Sequence, residues 1–360
     1  MNFNNNHTQQ IQTGDLYGKY SFGNIYEKLF SEEYLQRIKE VVTDDLQIAG
    51  LNDRINKLKI MDVGTGRQAL AFGLLNAQKV DHFDISEQHV SRFKARLEKR
   101  YPHLPITSKQ MDLVESPPPV KAYDLVYLSG IAHHFSNTQK GLINCAQAVK
   151  IGGRIWVYFY RSGTFKWMVC QMIRSLVKPE EIDLFFYSSA LIYANGNLQN
   201  DNTSLLMDDL FVPYIHLYPP HDYITFFNKC GFEICGSSHC DPISYVNHQL
   251  AHHSAVIVFE RKRDVCLNGV GLDNILTPET SVDQMDESLY GDEQTREVIR
   301  KFGIVRDNLL VKDCPVFRTC LCLSLHKAAA PQYYGSEEFP PAIEEVSSII
   351  DKGIEYLESH

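Results

Sequence analysis

The chain has 360 residues, of which 44% are hydrophobic and 22% are charged, the composition of an ordinary soluble globular protein. Its formal net charge of −9 would repel a phosphate backbone, which disfavours nucleic acid as a partner. The nine cysteines are scattered, so neither a structural zinc site nor a disulfide framework is expected. Without a signal-peptide pattern or an apolar run of bilayer length, a cytoplasmic protein that binds neither membrane nor metal is expected.

The first 16 residues are rich in Asn and Gln, and we predict that they are disordered. Strand and helix patterns then alternate from residue 58 to residue 161, with strands in LKIMDVGTG, KVDHFDIS, ITSKQMDL, YDLVYLSG and GRIWVYFY. Two later segments, FEICGSS and SAVIVFERKR, are predicted to be closing strands. This order predicts an α/β, Rossmann-like, mostly parallel seven-stranded sheet with helices on both faces.

Two regions break the alternation. Residues 162–220 are rich in aromatic residues and form an insert within a domain predicted to span 17–264. Residues 265–360 differ in character, with an acidic loop, the short apolar run CLCLSL and a terminal helical pattern. We predict that they form a C-terminal α+β appendage, which could pair two subunits, cover the site or dock another protein.

A glycine turn follows the first predicted strand. Asp62 lies at the strand end, and Gly64 and Gly66 let the chain turn tightly and let a ligand approach the backbone. A carboxylate at this place would repel a pyrophosphate and suits an amine-bearing ligand, which disfavours a nicotinamide dinucleotide and hence a dehydrogenase. The alternative is a turn with an architectural role only.

Two further carboxylates end the next strands. Asp84 lies about 20 residues past the glycine turn, where an acidic residue can accept both hydroxyls of a ribose. Its alternative role is to cap the next helix, for which Ser86 is the better candidate. Asp112 follows the third strand and could receive the exocyclic amine of an adenine.

A histidine pair follows the fourth strand. The apolar strand delivers Ser129, His133 and His134 to the same edge of the sheet, where an imidazole could act as a general base near neutral pH. Either histidine could instead be structural and fix the loop.

These motifs, together with VKIGG at 149–153, resemble in order and spacing the successive motifs of class I methyltransferases, and the likeness covers about residues 17–263. The resemblance implies S-adenosylmethionine as the cofactor, with its methionine part at the glycine turn, its ribose at Asp84 and its adenine near Asp112. The chain has Gln68 where the family often has a third glycine. The implied cofactor-binding residues are Asp62, Gly64, Thr65, Gly66, Asp84, Ile85, Asp112, Leu113 and Ser129.

In this fold the insert is where an acceptor lid is usually built. The resemblance therefore predicts transfer of a methyl group to an oxygen or nitrogen of a small-molecule metabolite. The alternative is a non-catalytic protein that binds the cofactor or acts as a scaffold. The predicted catalytic residues are His133, His134 and Tyr160. The predicted substrate-binding residues are Tyr158, Tyr187, Tyr193, Asp209 and Tyr214. Further candidates for the general base are Tyr158, Asp208, Asp209 and His216.

Overall fold

The computed structural model describes residues 25–198, 200–238, 254–265, 276, 293–312, 314–330 and 343–359. The segment predicted to be disordered and most of the acidic loop lie outside the described residues.

Seven strands form one sheet in the order β3-β2-β1-β4-β5-β7-β6. The strands are β1 (Lys59–Val63), β2 (Lys79–Asp84), β3 (Ile106–Gln110), β4 (Tyr123–Ser129), β5 (Val149–Tyr160), β6 (Phe232–Ser238) and β7 (Ser254–Arg261). The first five pair in parallel, and β7 runs antiparallel to both β5 and β6. The predicted Rossmann-like, mostly parallel sheet is confirmed.

Eleven α-helices lie within the described residues. They are α1 (Glu32–Ile48), α2 (Arg67–Leu74), α3 (Glu87–Arg100), α4 (Thr138–Ala148), α5 (Phe165–Leu176), α6 (Ile182–Tyr193), α7 (Asp201–Phe211), α8 (Pro220–Lys229), α9 (Glu293–Val311), α10 (Pro315–Ala329) and α11 (Ile343–Ser359). Among these described helices, none combines the length and the apolar character that crossing a membrane requires.

The sheet separates two cores because successive strand residues face opposite sides. In β7, Val256 and Val258 belong to the core shared with α1, α2 and α3, whereas Ile257 and Phe259 belong to the core shared with α4 and α8. Both faces are therefore covered, as expected of a parallel sheet whose strands are apolar throughout.

A third core lies outside the sheet and joins the insert to the C-terminal region. We call α5, α6, α7, α9, α10 and α11 the helical unit, because their buried side chains form one cluster. A buried ion pair ties its two parts together: the Arg318 guanidinium donates to both carboxylate oxygens of Glu181, at 3.0 and 2.6 Å.

This arrangement differs from the predicted α+β appendage. The run CLCLSL lies within α10, and the described part of 293–359 contains helices and no strand. One narrow face of α10, at Val316, Cys320, Ser324 and Lys327, is exposed, and the rest of the helix is largely buried. Because apolar side chains cover most of the helix surface, the helical period of its sequence is weak, which explains why strands were expected in this region.

Candidate active site

A cavity of about 300 Å³ lies at the carboxyl ends of β1, β2, β4 and β5, beneath α7 and Tyr214. Carboxyl ends of strands at a reversal of strand order are the usual ligand position in open α/β sheets. Most of the predicted site residues line this cavity, namely Gly64, Thr65, Asp84, Ile85, Asp112, Leu113, Ser129, His134, Tyr158, Tyr160 and Tyr214.

The glycine turn between β1 and α2 needs both of its glycines. Gly64 has a φ of +129° and Gly66 a φ of +89°, conformations that side chains rarely allow. A Cβ at Gly66 would lie 2.9 Å from the Phe93 ring. The Gly64 amide donates to the Phe83 carbonyl at 2.9 Å, which ties the turn to β2.

Asp62 lies beneath the turn and does not line the cavity, and neither does Gly66. The Asp62 Oδ2 accepts a hydrogen bond from the Ala69 amide at 3.0 Å, in the first turn of α2. Burial raises the pKa of this carboxyl to about 7. The side chain therefore orders the turn from below, whereas the sequence favoured direct contact with an amine-bearing ligand.

Asp84 ends β2 and presents a buried carboxylate to the cavity. Its Oδ1 accepts from the Ser86 amide at 2.7 Å, and its Oδ2 lies 3.2 Å from Nδ1 of His89. The helix-capping alternative is not what the structure shows, because Ser86 caps α3 by accepting from the His89 amide at 3.3 Å.

The stretch after β3 forms a mainly apolar slot with one carboxylate. Met111, Leu113 and Ile85 line the cavity together with Asp112. The Asp112 Oδ1 accepts from the Val114 amide at 2.8 Å, which holds the carboxylate at the slot. A flat ring with an exocyclic amine suits such a slot.

The two histidines after β4 are placed differently. His134 lines the cavity, and its Nδ1 donates to the Tyr214 carbonyl at 2.8 Å. Burial lowers the pKa of His134 to about 4, so its imidazole is neutral near pH 7. Its Nε2 lies 4.0 Å from the Asp208 carboxylate.

His133 is fully buried and does not line the cavity. Its ring stacks on the Tyr160 ring at 3.8 Å between centroids, and its Nδ1 accepts from the Tyr160 amide at 3.4 Å. Burial lowers the pKa of His133 well below its usual value. This histidine supports Tyr160, which itself lines the cavity.

Of the predicted substrate-binding residues, the structure brings Tyr158 and Tyr214 to the cavity and leaves three outside it. Tyr187 is 55% exposed on the outer face of α6. Tyr193 packs against the core of the helical unit. On α7, Asp208 lines the cavity and its neighbour Asp209 points into the helical unit.

Asp209 belongs to a buried polar cluster behind the cavity. Its Oδ2 lies 2.8 Å from the Lys166 ammonium and 3.5 Å from Nε2 of His326. Cys170 completes a group with the spacing of metal ligands. The Lys166 ammonium already supplies a positive charge to Asp209, so the cluster reads as an anchor between α5, α7 and α10.

Sequence reasoning missed His89 and Leu205, which also line the cavity. His89 could have been found, because the third residue after a cap at Ser86 lies in the first helical turn, close to the end of β2. Leu205 could not, because only the tertiary position of α7 brings it to the cavity.

Residues 61–155 match a family model described as a methyltransferase domain. No curated protein matches the chain.

Many solved structures resemble the chain. One is an S-adenosylmethionine-dependent methyltransferase from Mesorhizobium loti, with 15% identity, 60% of this chain and 96% of that chain covered, and a TM-score of 0.41. Another is magnesium protoporphyrin IX methyltransferase from Synechocystis with bound SAH, with 16% identity, 71% and 95% covered, and a TM-score of 0.39. A third is the YcgJ protein from Bacillus subtilis, with 15% identity, 62% and 99% covered, and a TM-score of 0.38.

The family model matches the strands and turns that carry the glycine turn, Asp84 and Asp112. The strand order around this segment is that of the predicted Rossmann-like sheet. Residues 61–155 therefore resemble a methyltransferase domain, and they lie within a Rossmann-like sheet.

Proposed function

We propose that the protein transfers the methyl group of S-adenosylmethionine to an oxygen or nitrogen atom of a small molecule. The observation that carries this proposal is the position of His134, a neutral imidazole that lines the cavity. One of its nitrogens is held by the Tyr214 carbonyl, and the other lies near Asp208.

We call the part of the cavity lined by Gly64, Thr65, Asp84 and Asp112 the cofactor end, and it fits the three parts of the cofactor. The turn at Gly64 and Thr65 admits the methionine part, and the buried carboxylate of Asp84 accepts from the ribose hydroxyls. The slot at Asp112 takes the adenine. When bound, the cofactor supplies a methyl group already activated on a sulfonium.

We call the part of the cavity lined by Tyr158, Tyr160, His134, Asp208 and Tyr214 the acceptor end. Helix α7 covers this end, which favours a small acceptor over a polymer. The anchor of Asp209 to Lys166 and His326 holds α7 in place, so the C-terminal region contributes to the acceptor site without lining it.

The chemistry asked of the protein is alignment and, for a hydroxyl acceptor, removal of a proton. A bound cofactor would supply the methyl group to the acceptor oxygen, and its sulfur would keep the electron pair of the carbon–sulfur bond. His134 accepts the hydroxyl proton on Nε2, because Nδ1 already carries a hydrogen toward Tyr214. The Asp208 carboxylate then stabilises the imidazolium. A neutral amine acceptor would not need this base before transfer.

The test is a methyl-transfer assay with methyl-labelled S-adenosylmethionine. A panel of small phenols, alcohols and amines would be run beside unfolded protein and RNA as acceptors. We expect label on at least one small molecule. Label on protein or RNA alone would contradict the proposal, and cofactor binding without transfer to any acceptor would favour the non-catalytic alternative.

A further inference from the structure

The Asp84 carboxylate is held in one orientation by two donors. The Ser86 amide donates to Oδ1 at 2.7 Å, and the His89 ring donates from Nδ1 to Oδ2 at 3.2 Å. An ionised carboxylate has about four lone-pair positions. Two of them are used within the protein, which leaves one on each oxygen for a ligand in the cavity that Asp84 lines.

The His89 side chain is held in place by burial and by contacts with Tyr26. Its side chain is only 4% exposed, and its ring stacks on the Tyr26 ring at 5.3 Å between centroids and 19° between planes. The Tyr26 hydroxyl donates to the His89 carbonyl at 3.2 Å and lies 3.4 Å from the Thr65 carbonyl. Tyr26 therefore links the first turn of α3 to the glycine turn.

The direction of the hydrogen bond sets the state of the ring. A carboxylate only accepts, so Nδ1 of His89 carries the hydrogen. The other ring nitrogen, Nε2, is buried and has no hydrogen-bond partner among the described residues. The His89 ring lines the cavity, but because Nε2 is buried and Nδ1 is bonded to Asp84, its nitrogens can act on a ligand only through that carboxylate.

We propose that His89 is a positioning residue for ribose recognition. It holds the Asp84 carboxylate so that one lone pair of each oxygen faces the cavity, spaced for the vicinal hydroxyls of a nucleoside. Without the His89 donor, the carboxylate can rotate toward the Ser86 amide alone and lose its alignment with one hydroxyl. The ligand class is a nucleoside with both ribose hydroxyls present, and the proposal does not depend on the acceptor.

The first experiment is a calorimetric double-mutant cycle with S-adenosylhomocysteine. His89→Phe keeps a ring against Tyr26 and removes the donor, and we expect it to weaken binding by about 3- to 10-fold, the effect of one hydrogen bond. Asp84→Ala should weaken binding at least as much. In the Asp84→Ala background, His89→Phe should have no further effect, because the carboxylate through which the imidazole acts is then absent.

The second experiment asks whether the effect depends on the ribose hydroxyls. Adenosine and 2′,3′-dideoxyadenosine would be titrated into both proteins. The preference for adenosine should shrink in His89→Phe by the same 3- to 10-fold, with the affinity for the dideoxy compound unchanged. His89→Asn, whose amide places a donor near the position of Nδ1, should restore the preference.

The control variant is Tyr26→Phe, which keeps the stacked ring and removes only the hydroxyl. It should keep the preference for adenosine. Equal losses for adenosine and the dideoxy compound in His89→Phe would overturn the proposal and leave His89 a packing residue. Additive effects of the two substitutions in the cycle would overturn it as well.

Discussion

The sheet and the helical unit both bury aliphatic and aromatic side chains, but they gather them from different distances along the chain. In the sheet, β1, β2 and β3 pair in chain order with a single α-helix between successive strands, and so do β4 and β5. The helical unit packs α5 and α7 against α10, and its buried Arg318–Glu181 pair joins residues 137 positions apart. The cofactor end of the cavity therefore rests on local strand–turn–helix units, whereas the acceptor end depends on distant contacts.

The strongest test of the acceptor end is His134→Ala. With an acceptor from the panel, we expect turnover to fall about 10²- to 10⁴-fold for a hydroxyl acceptor, the contribution of a general base. S-Adenosylhomocysteine affinity should remain. Steady-state kinetics and calorimetry on the same preparation measure the two effects.

The matched control is His133→Phe, which keeps a ring stacked on Tyr160. It should retain turnover within about tenfold. If His133→Phe lost as much activity as His134→Ala, the base would have to be reassigned to the buried histidine.

The second prediction concerns how the helical unit is held together. Arg318→Met leaves the buried Glu181 carboxylate without its cation, and we expect a loss of about 3–5 kcal/mol in the free energy of unfolding. Urea denaturation followed by circular dichroism measures it. Adding Glu181→Met should recover most of the loss, because no buried charge is then unpaired. A loss below about 1 kcal/mol in Arg318→Met would mean that the insert and the C-terminal helices are not one core.

The smallest expected effect belongs to the cofactor end. Asp62→Asn keeps an oxygen that accepts from the Ala69 amide, so S-adenosylhomocysteine affinity should change by less than about threefold, below one hydrogen bond. A loss of tenfold or more would show that the charge of Asp62 contacts the ligand's amine. Calorimetry separates these outcomes.

The same variant has a signature in the pH dependence of stability. Burial raises the pKa of Asp62 in the folded protein to about 7, above its ordinary value. Between these two pKa values the folded state binds more protons than the unfolded state, so the free energy of unfolding falls as the pH rises. The contribution of Asp62 to stability is therefore fully present below its ordinary pKa and is lost as the pH rises through about 7. Asp62→Asn should flatten this fall, while the part due to Asp45, whose pKa burial raises to about 6, should remain.

The difference between local contacts in the sheet and distant contacts in the helical unit also explains which features the sequence could predict. The β1 turn and the positions of Asp84 and Asp112 follow from period and order alone, because parallel strands bring their carboxyl ends to one edge. Asp62 was read correctly as a strand end, but the pattern could not tell a side chain above the turn from one beneath it.

Tyr187 and Tyr193 show the limit more clearly. Both lie in an aromatic stretch that suggested a pocket, yet α6 turns Tyr187 outward and Tyr193 toward the C-terminal helices. The contact that decides this, between α6 and α10, joins segments with no local signal for one another. Composition could predict burial in this region but not the partner.

The most direct measurement of the central claim is calorimetric titration of the purified protein with S-adenosylhomocysteine, with NADH in a parallel cell. The account predicts that S-adenosylhomocysteine binds and that NADH does not, because residues 61–155 resemble a methyltransferase domain and the cavity beside the glycine turn offers a ribose carboxylate and an adenine slot. Binding of NADH in place of S-adenosylhomocysteine, or binding of neither, would contradict it.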